Sequence, residues 1–433
     1  MKRIFRGGLV ISGASGHDLV AGDLVVSNGV VDALAPPGTA RGDEIVDVRG
    51  QWIVPSFVQT HIHLVQTLFR GLADDLPLLP WLRTRIWPLE RAHDDDSVYW
   101  SARLGITELL LGGTTAFLDM ATVRHTKAVF RAAKEAGVRA TIGKAMMDRD
   151  DEAGLGETTE QALRTSSDLA EKWHGRGRIR YAFSPRFVPS CSDALLRETV
   201  ALARARGALL HTHASENTDE VALVRELTGM DNVRYLDSVG LTGPDVVLAH
   251  CIHLTADERA ILARTRTTVA HCPSSNLKLG SGICPVPELL AGGVRVTLGA
   301  DGAPCNNRLD AFNEMRLAAL VQSQRLGPGA LPADVVLDLA TRQGAQALGV
   351  GSGRLEPGAP ADFLVVDPDD PSAIGGGGPA GALVYAMTPR AVRDVLVDGE
   401  WLVRDGEVLG WDLEETIDGA KKALARVRAR AFA

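Results

Sequence analysis

The segment 57-FVQTHIHLVQTLFRGLADDL-76 sets two histidines one residue apart at the end of an apolar run. In a β-strand, residues i and i+2 project from the same face. If this run is a strand, His61 and His63 aim two imidazoles at one point. Two readings follow: a pair of metal ligands, or two strand histidines with ordinary hydrogen bonds. What the rest of the chain brings to the same place decides between them.

Counting outward, 54-VPSFVQTHIH is the first of eight strand-like runs. The others are 113-GTTAFLDM, 139-RATIGKAMMD, 180-RYAFSPRF, 208-ALLHTHAS, 246-VVLAHCIHL, 267-TTVAHCPSSN and 295-RVTLGADGAP. Helix-like segments such as SVYWSARLGITELLLGG and TKAVFRAAKEAG lie between them. Eight alternating units predict a (β/α)8 TIM barrel of the α/β class over residues 55–359. The polar residues gather at the C-terminal ends of the runs, the end where such a barrel carries its active site.

The two ends of the chain read differently. Residues 1–54 and 360–433 hold short strands with NG and DG turn signals. Neither end makes a domain alone, so together they predict one small β-sandwich domain, closed by a last helix near ETIDGAKKALARVRARAFA. The stretch 374-IGGGGPAG-381 reads as a flexible loop; no Lys-Ser/Thr follows it, so it is not a phosphate loop.

Composition narrows the partners. The chain has 433 residues and a formal net charge of −8, which argues against a nucleic-acid polymer and leaves small ligands open. No run approaches the ~20 apolar residues of a membrane span, and the start reads as a strand and turn rather than a signal peptide. Five cysteines without CxxC spacing fit reduced thiols, so the expected location is cytoplasmic. A homo-oligomer is the expected assembly.

The strand ends now collect into one constellation. Strand 1 offers His61 and His63; strand 5 ends in 211-HTHASEN-217 with His211, His213 and Glu216. Strands 6 and 7 give His250, His253 and His271, and strand 8 gives Asp301 in 299-GADGAPCNN-307. So many imidazoles and carboxylates on one rim are hard to explain as packing. His17, His93, His125 and His174 read as surface or structural residues.

These motifs resemble the amidohydrolase superfamily, and within it the purine and nucleoside deaminases. By position, the resemblance implies His61, His63, His213 and Asp301 as metal ligands, with Glu216, His250 and Asp301 as catalytic residues. His211 shares the face of His213 but sits ~6–7 Å further down the strand, which suits a supporting role. Binuclear relatives place a bridging lysine or carboxylate at the end of strand 4, where this chain has Ser184, Pro185 and Arg186. The expectation is one divalent ion, Zn²⁺ by its donor set, with Fe²⁺ also acceptable.

The same resemblance implies a hydrolase that cleaves a carbon–nitrogen bond in a cyclic amidine. The segment 70-RGLADDLPLLPWLRTRIWPLE-90 should arch over the barrel mouth. It is similar to the adenosine-type deaminases, in which the glutamate of WPxE, here Glu90, accepts both ribose hydroxyls. Trp87 is a further candidate substrate contact, though Trp81 and Trp87 also read as packing. HIHLVQ and SPRFVPSCS are similar to guanine deaminases and mark Gln66 and Arg186 as base readers, whereas GADGAPCNN is similar to deaminases of 5′-modified adenosines. Lys144 matches one of two arginine positions that hold a charged 5′ tail, and 148-DRDDEAGLGE-157 has no counterpart for the other. The expected activity is hydrolytic deamination of an adenosine-type nucleoside: 5′-deoxyadenosine, 5′-methylthioadenosine, adenosine or S-adenosylhomocysteine. The alternatives are a guanine or oxopurine base deaminase and a triazine-type amidohydrolase.

Overall fold

The computed structural model describes residues 1–12, 18–149, 154–371, 373–375 and 377–432. His17, part of the 148–157 segment and part of the glycine-rich 374–381 stretch fall outside them. Each of the eight expected runs forms a strand: Phe57–His63, Thr114–Met120, Arg139–Gly143, Ile179–Pro185, Leu209–Ala214, Val246–His250, Thr268–His271 and Arg295–Leu298. We number these barrel strands 1 to 8. Neighbours pair in parallel around the ring.

Closure depends on a break in strand 8. Its first part pairs with strand 7 as far as His271↔Leu298, and the chain then resumes as a strand at Asp301–Gly302 beside strand 1, with Asp301↔Ile62 and Gly302↔His63. Gly299 lies in the break, where an added Cβ would sit 2.6 Å from the His61 carbonyl oxygen. The Gln59 side chain seals the seam by accepting from the Ala300 amide at 2.9 Å and donating to the Leu309 carbonyl at 3.1 Å. The (β/α)8 barrel expected from the sequence is the observed fold.

Local chemistry sets where the crossover helices start and stop. Thr158 with Gln161, Asn217 with Glu220 and Thr255 with Glu258 form capping boxes at the starts of Thr159–Trp173, Thr218–Thr228 and Ala256–Thr265. Gly137, at φ +74°, ends Lys127–Ala136 and turns the chain into strand 3. Glu220 and Glu258 are buried, so these caps also tie the helices to the core.

Both chain ends build a separate nine-stranded sheet. The two halves meet where Phe363–Val366 runs antiparallel to Trp52–Pro55. Asn28-Gly29, Asp398-Gly399 and Asp405-Gly406 all have positive φ at both positions, as the NG and DG signals require. Phe5, Leu24, Ile53, Phe363 and Leu396 are fully buried in its core. Arg139 and Arg178 of the barrel fasten to it through Asp362 (2.5 Å) and Asp398 (2.7 Å).

The last helix, Leu413–Ala431, departs from expectation. It packs on the barrel helix Asp95–Leu111 rather than closing the sheet, with Arg103 bonded to Thr416 and Glu415. Its apolar face, Ala420, Ala423 and Val427, fits against Leu68, Phe69 and Leu89. Among the described residues, no helix is long and apolar enough to cross a membrane.

Candidate active site

Three of the backbone turns at the strand ends are strained. Ser215, His250, Cys251 and Asp301 all have φ between +48° and +72°. Non-glycine residues rarely adopt this region, and such strain collects where side chains must be aimed. Here the turns direct His250, Glu216 and Asp301 at the opening above strand 1.

His61 and His63 meet His213 and Asp301 in one cluster. One ligand atom each from His61, His63, His213 and Asp301 lies within 4.8 Å of the others. The Nδ1 atoms of His63 and His213 sit 2.7 Å from the carbonyl oxygens of Met120 and Arg186. A carbonyl only accepts, so each Nδ1 carries the proton and each Nε2 presents a lone pair. Those two Nε2 atoms are 3.2 Å apart, and Asp301 Oδ1 is 3.2 Å from Nε2 of both His61 and His63. Facing lone pairs beside a carboxylate repel unless a cation lies among them. A tetrahedral ion with ~2.0–2.2 Å bonds wants ligand atoms about 3.3–3.6 Å apart, close to these spacings. The residues therefore fit a divalent ion. His211 stands behind the cluster with its Nε2 2.8 Å from His61 Nδ1, where it fixes that ring's orientation.

Glu216 and His250 complete the rim. His250 Nδ1 is 2.8 Å from Asn276 Oδ1, which leaves Nε2 turned toward Glu216 (3.5 Å) and Asp301 (3.9 Å). Burial, reinforced by the Asp301 and Glu220 carboxylates, pushes the Glu216 carboxyl well above the usual carboxylate range. A carboxyl that holds its proton more firmly is suited to serve as an acid. Its Oε1 is buried without a hydrogen-bond partner among the described residues, free for a ligand.

A cavity with about 410 Å³ of empty space, part of it open to solvent, opens onto this cluster. Gln66, Arg186, Phe187, Trp81 and Leu279 help to line it, together with the catalytic candidates. Glu90 and Trp87 stand behind that lining. Arg186 clamps both Glu90 oxygens at 2.7 and 3.0 Å, and Gln66 Nε2 donates to Glu90 Oε1 at 2.8 Å. Burial opposes the Glu90 charge, but the Arg186 guanidinium outweighs it and holds the carboxyl below its ordinary range. The expected sugar contact is thus engaged by the two expected base readers. The aromatic wall is Trp81, with Trp87 packed beside Trp81 in the neighbouring apolar cluster. Lys144 is absent from the lining as well; it pairs with Glu157 in a separate cleft beside Arg124 and His125.

Sequence reasoning left three contributors without roles. Ser275 donates to Asp301 Oδ2 at 2.5 Å, Asn276 fixes His250, and Glu314 anchors the loop that carries both. HCPSSN flagged the first two by its polarity at a strand end. Glu314 lies in a helix 40 residues from its partner Ser274, where no local pattern reveals it.

Residues 52–402 match the family model described as "Amidohydrolase family". The chain belongs to the amidohydrolase family. Among curated amidohydrolase relatives, the 5′-deoxyadenosine deaminase of Methanothermobacter thermautotrophicus is 40% identical, over 93% of this chain and 94% of its own. A 5-methylthioadenosine/S-adenosylhomocysteine deaminase of Desulfitobacterium hafniense is 37% identical over 89% of this chain and 88% of its own. Among solved structures, an adenosine deaminase from Xanthomonas campestris with bound zinc superposes with a TM-score of 0.93 at 30% identity, covering 99% and 98% of the two chains.

Proposed function

We propose that this amidohydrolase deaminates an adenosine-type nucleoside by hydrolysis, releasing ammonia and leaving the inosine-type product. The observation that carries the reading is the convergence of His61, His63, His213 and Asp301 with Glu216 and His250 on one cavity. Similarity to 5′-deoxyadenosine and methylthioadenosine deaminases across most of the chain supports the substrate class. Three imidazoles and a carboxylate would hold one divalent ion, zinc by donor type, with ferrous iron also accommodated. Bound there, the ion supplies the Lewis acidity that lets water act as a nucleophile near neutral pH. Ser184, Pro185 and Arg186 at the end of strand 4 offer no bridge to a second ion.

The chain's own groups then divide the proton work. Asp301 accepts a proton from the attacking water. His250 holds that water through Nε2, with Asn276 keeping the ring in the tautomer that can accept. Glu216, whose carboxyl holds its proton more firmly in its buried setting, delivers that proton to the ring nitrogen. Asp301 then returns the water's proton to the amine, which leaves as ammonia, and Glu216 regains a proton from the new hydroxyl as the oxo product forms. Trp81, Phe187 and Leu279 give the flat heterocycle an apolar slot.

One observation favours a second reading. Gln66 and Arg186, rather than Glu90, reach the cavity, and a guanidinium suits a ring that carries a carbonyl oxygen. That arrangement fits a guanine or oxopurine base. Incubating the zinc-loaded protein with adenosine, 5′-deoxyadenosine, 5′-methylthioadenosine, S-adenosylhomocysteine and guanine, and measuring ammonia, separates the two. Release from the nucleosides supports the primary reading; release from guanine alone replaces it.

A further inference from the structure

We propose that Glu314 is a positioning residue for the deamination reaction. It holds the loops after strands 7 and 8 so that Ser275 and Asn276 present Asp301 and His250 in register. The proposal rests on the functional reading above and extends it to a residue outside the cavity.

Glu314 lies in the helix Ala311–Leu326 and is 1% exposed. Its carboxylate receives four donors. Oε2 accepts the Ser274 amide at 3.1 Å. Oε1 accepts the Ser274 hydroxyl, Asn306 Nδ2 at 2.9 Å and Asn313 Nδ2 at 3.2 Å. These donors fix the carboxyl group in place and favour its charged form, but burial outweighs them and pushes the carboxyl up to about 7. Asn313 also bonds the Ser274 hydroxyl at 2.9 Å, so the network closes on itself.

Two routes lead from this hub to the reacting groups. Through Ser274 it fixes the short helix Pro273–Lys278, whose next two residues bond Asp301 Oδ2 and His250 Nδ1. Through Asn306, which also donates to the Ala300 carbonyl at 2.7 Å, it holds the residue preceding Asp301. Asp301 has φ +62°, a conformation that persists only where its surroundings impose it. A carboxylate buried in a crossover helix, with no contact to the cavity, otherwise has little reason to be there: burying it costs free energy that an apolar residue would not.

The test compares wild type with Glu314→Ala, Glu314→Gln and Ser275→Ala, each zinc-loaded. It reads kcat and KM from ammonia release and zinc affinity by chelator competition. Outer partners of metal ligands commonly contribute ~10–100-fold. Glu314→Ala should lower kcat by about that factor with KM within about twofold, and should weaken zinc binding by about tenfold or more. Glu314→Gln, which keeps the shape and one acceptor, should fall between; it decides the question if the alanine variant does not fold. The Glu314→Ala/Ser275→Ala double variant should be scarcely worse than Glu314→Ala alone, because the Ser275 contact lies on one of the two routes that Glu314 holds. Full kcat and zinc affinity in both Glu314 variants, or losses that multiply independently, would overturn the proposal. If wild type releases no ammonia from any substrate, the functional reading fails, and the zinc affinities still judge Glu314.

Discussion

At the scale of single residues, the account turns on carboxylates whose surroundings push them opposite ways. Glu216 is raised by burial and by neighbouring negative charge, whereas Glu90 is lowered because Arg186 overcomes its burial. One is an acid and the other a fixed anion. Glu216→Gln should keep the fold and the ion while lowering ammonia release by ~10²–10⁴-fold, the usual contribution of a positioned proton donor. Zinc content and circular dichroism, measured beside the rate, check that only chemistry is lost. Arg186→Met should act differently, because it strands Glu90 without its cation. Breaking a buried pair costs ~3–5 kcal/mol, and a urea titration at neutral pH should show a loss of that order. Adding Glu90→Gln should recover part of it. That His61, His63, His213, Glu216, His250 and Asp301 gather at strand ends was legible in sequence because strand alternation is local; their roles as ligands and acid were implied by the family resemblance. The Arg186–Glu90–Gln66 clamp was not. Gln66 and Glu90 sit in two short helices after strand 1 and Arg186 just past strand 4, and sequence cannot say that expected substrate contacts satisfy one another.

At the scale of elements, the eight strands and the hairpin turns were legible because apolar runs and positive-φ residues are written locally. Two features were not. The break in strand 8 that lets Asp301 reach strand 1 comes from the close approach of Gly299 to His61, a tertiary contact. The last helix is amphipathic, but its partner, Asp95–Leu111, lies three hundred residues away in the chain. The Trp81–Arg91 region is tied down by His93, whose ring bonds Ser97 at 2.9 Å and the Val65 carbonyl at 2.9 Å and stacks on Phe69. Burial pushes this imidazole down to about 4 from 6.5. The unfolded chain therefore takes up a proton near pH 6.5 that the folded one refuses. His93 contributes fully above that pH and progressively less down to about pH 4, a loss of about 3 kcal/mol. Urea midpoints measured between pH 7 and 4 should fall along that window, and His93→Gln should flatten the decline.

At the scale of the whole molecule, a barrel and a sheet built from both chain ends are held in register by Arg139 and Arg178 on Asp362 and Asp398. The barrel brings ligands from strands 1, 5 and 8 to one point, so the ion should bind the folded state alone. At a free zinc concentration a thousand times its dissociation constant, it should add about 4 kcal/mol of stability. Removing it with a chelator should lower the melting temperature, and zinc should restore it. The most direct test follows ammonia release from 5′-deoxyadenosine while zinc per chain is raised from none. The account predicts no release from the stripped protein, a rise in proportion to bound zinc, and a plateau at one ion per chain. Undiminished release from the stripped protein, or none at any loading from the whole nucleoside panel, would contradict it.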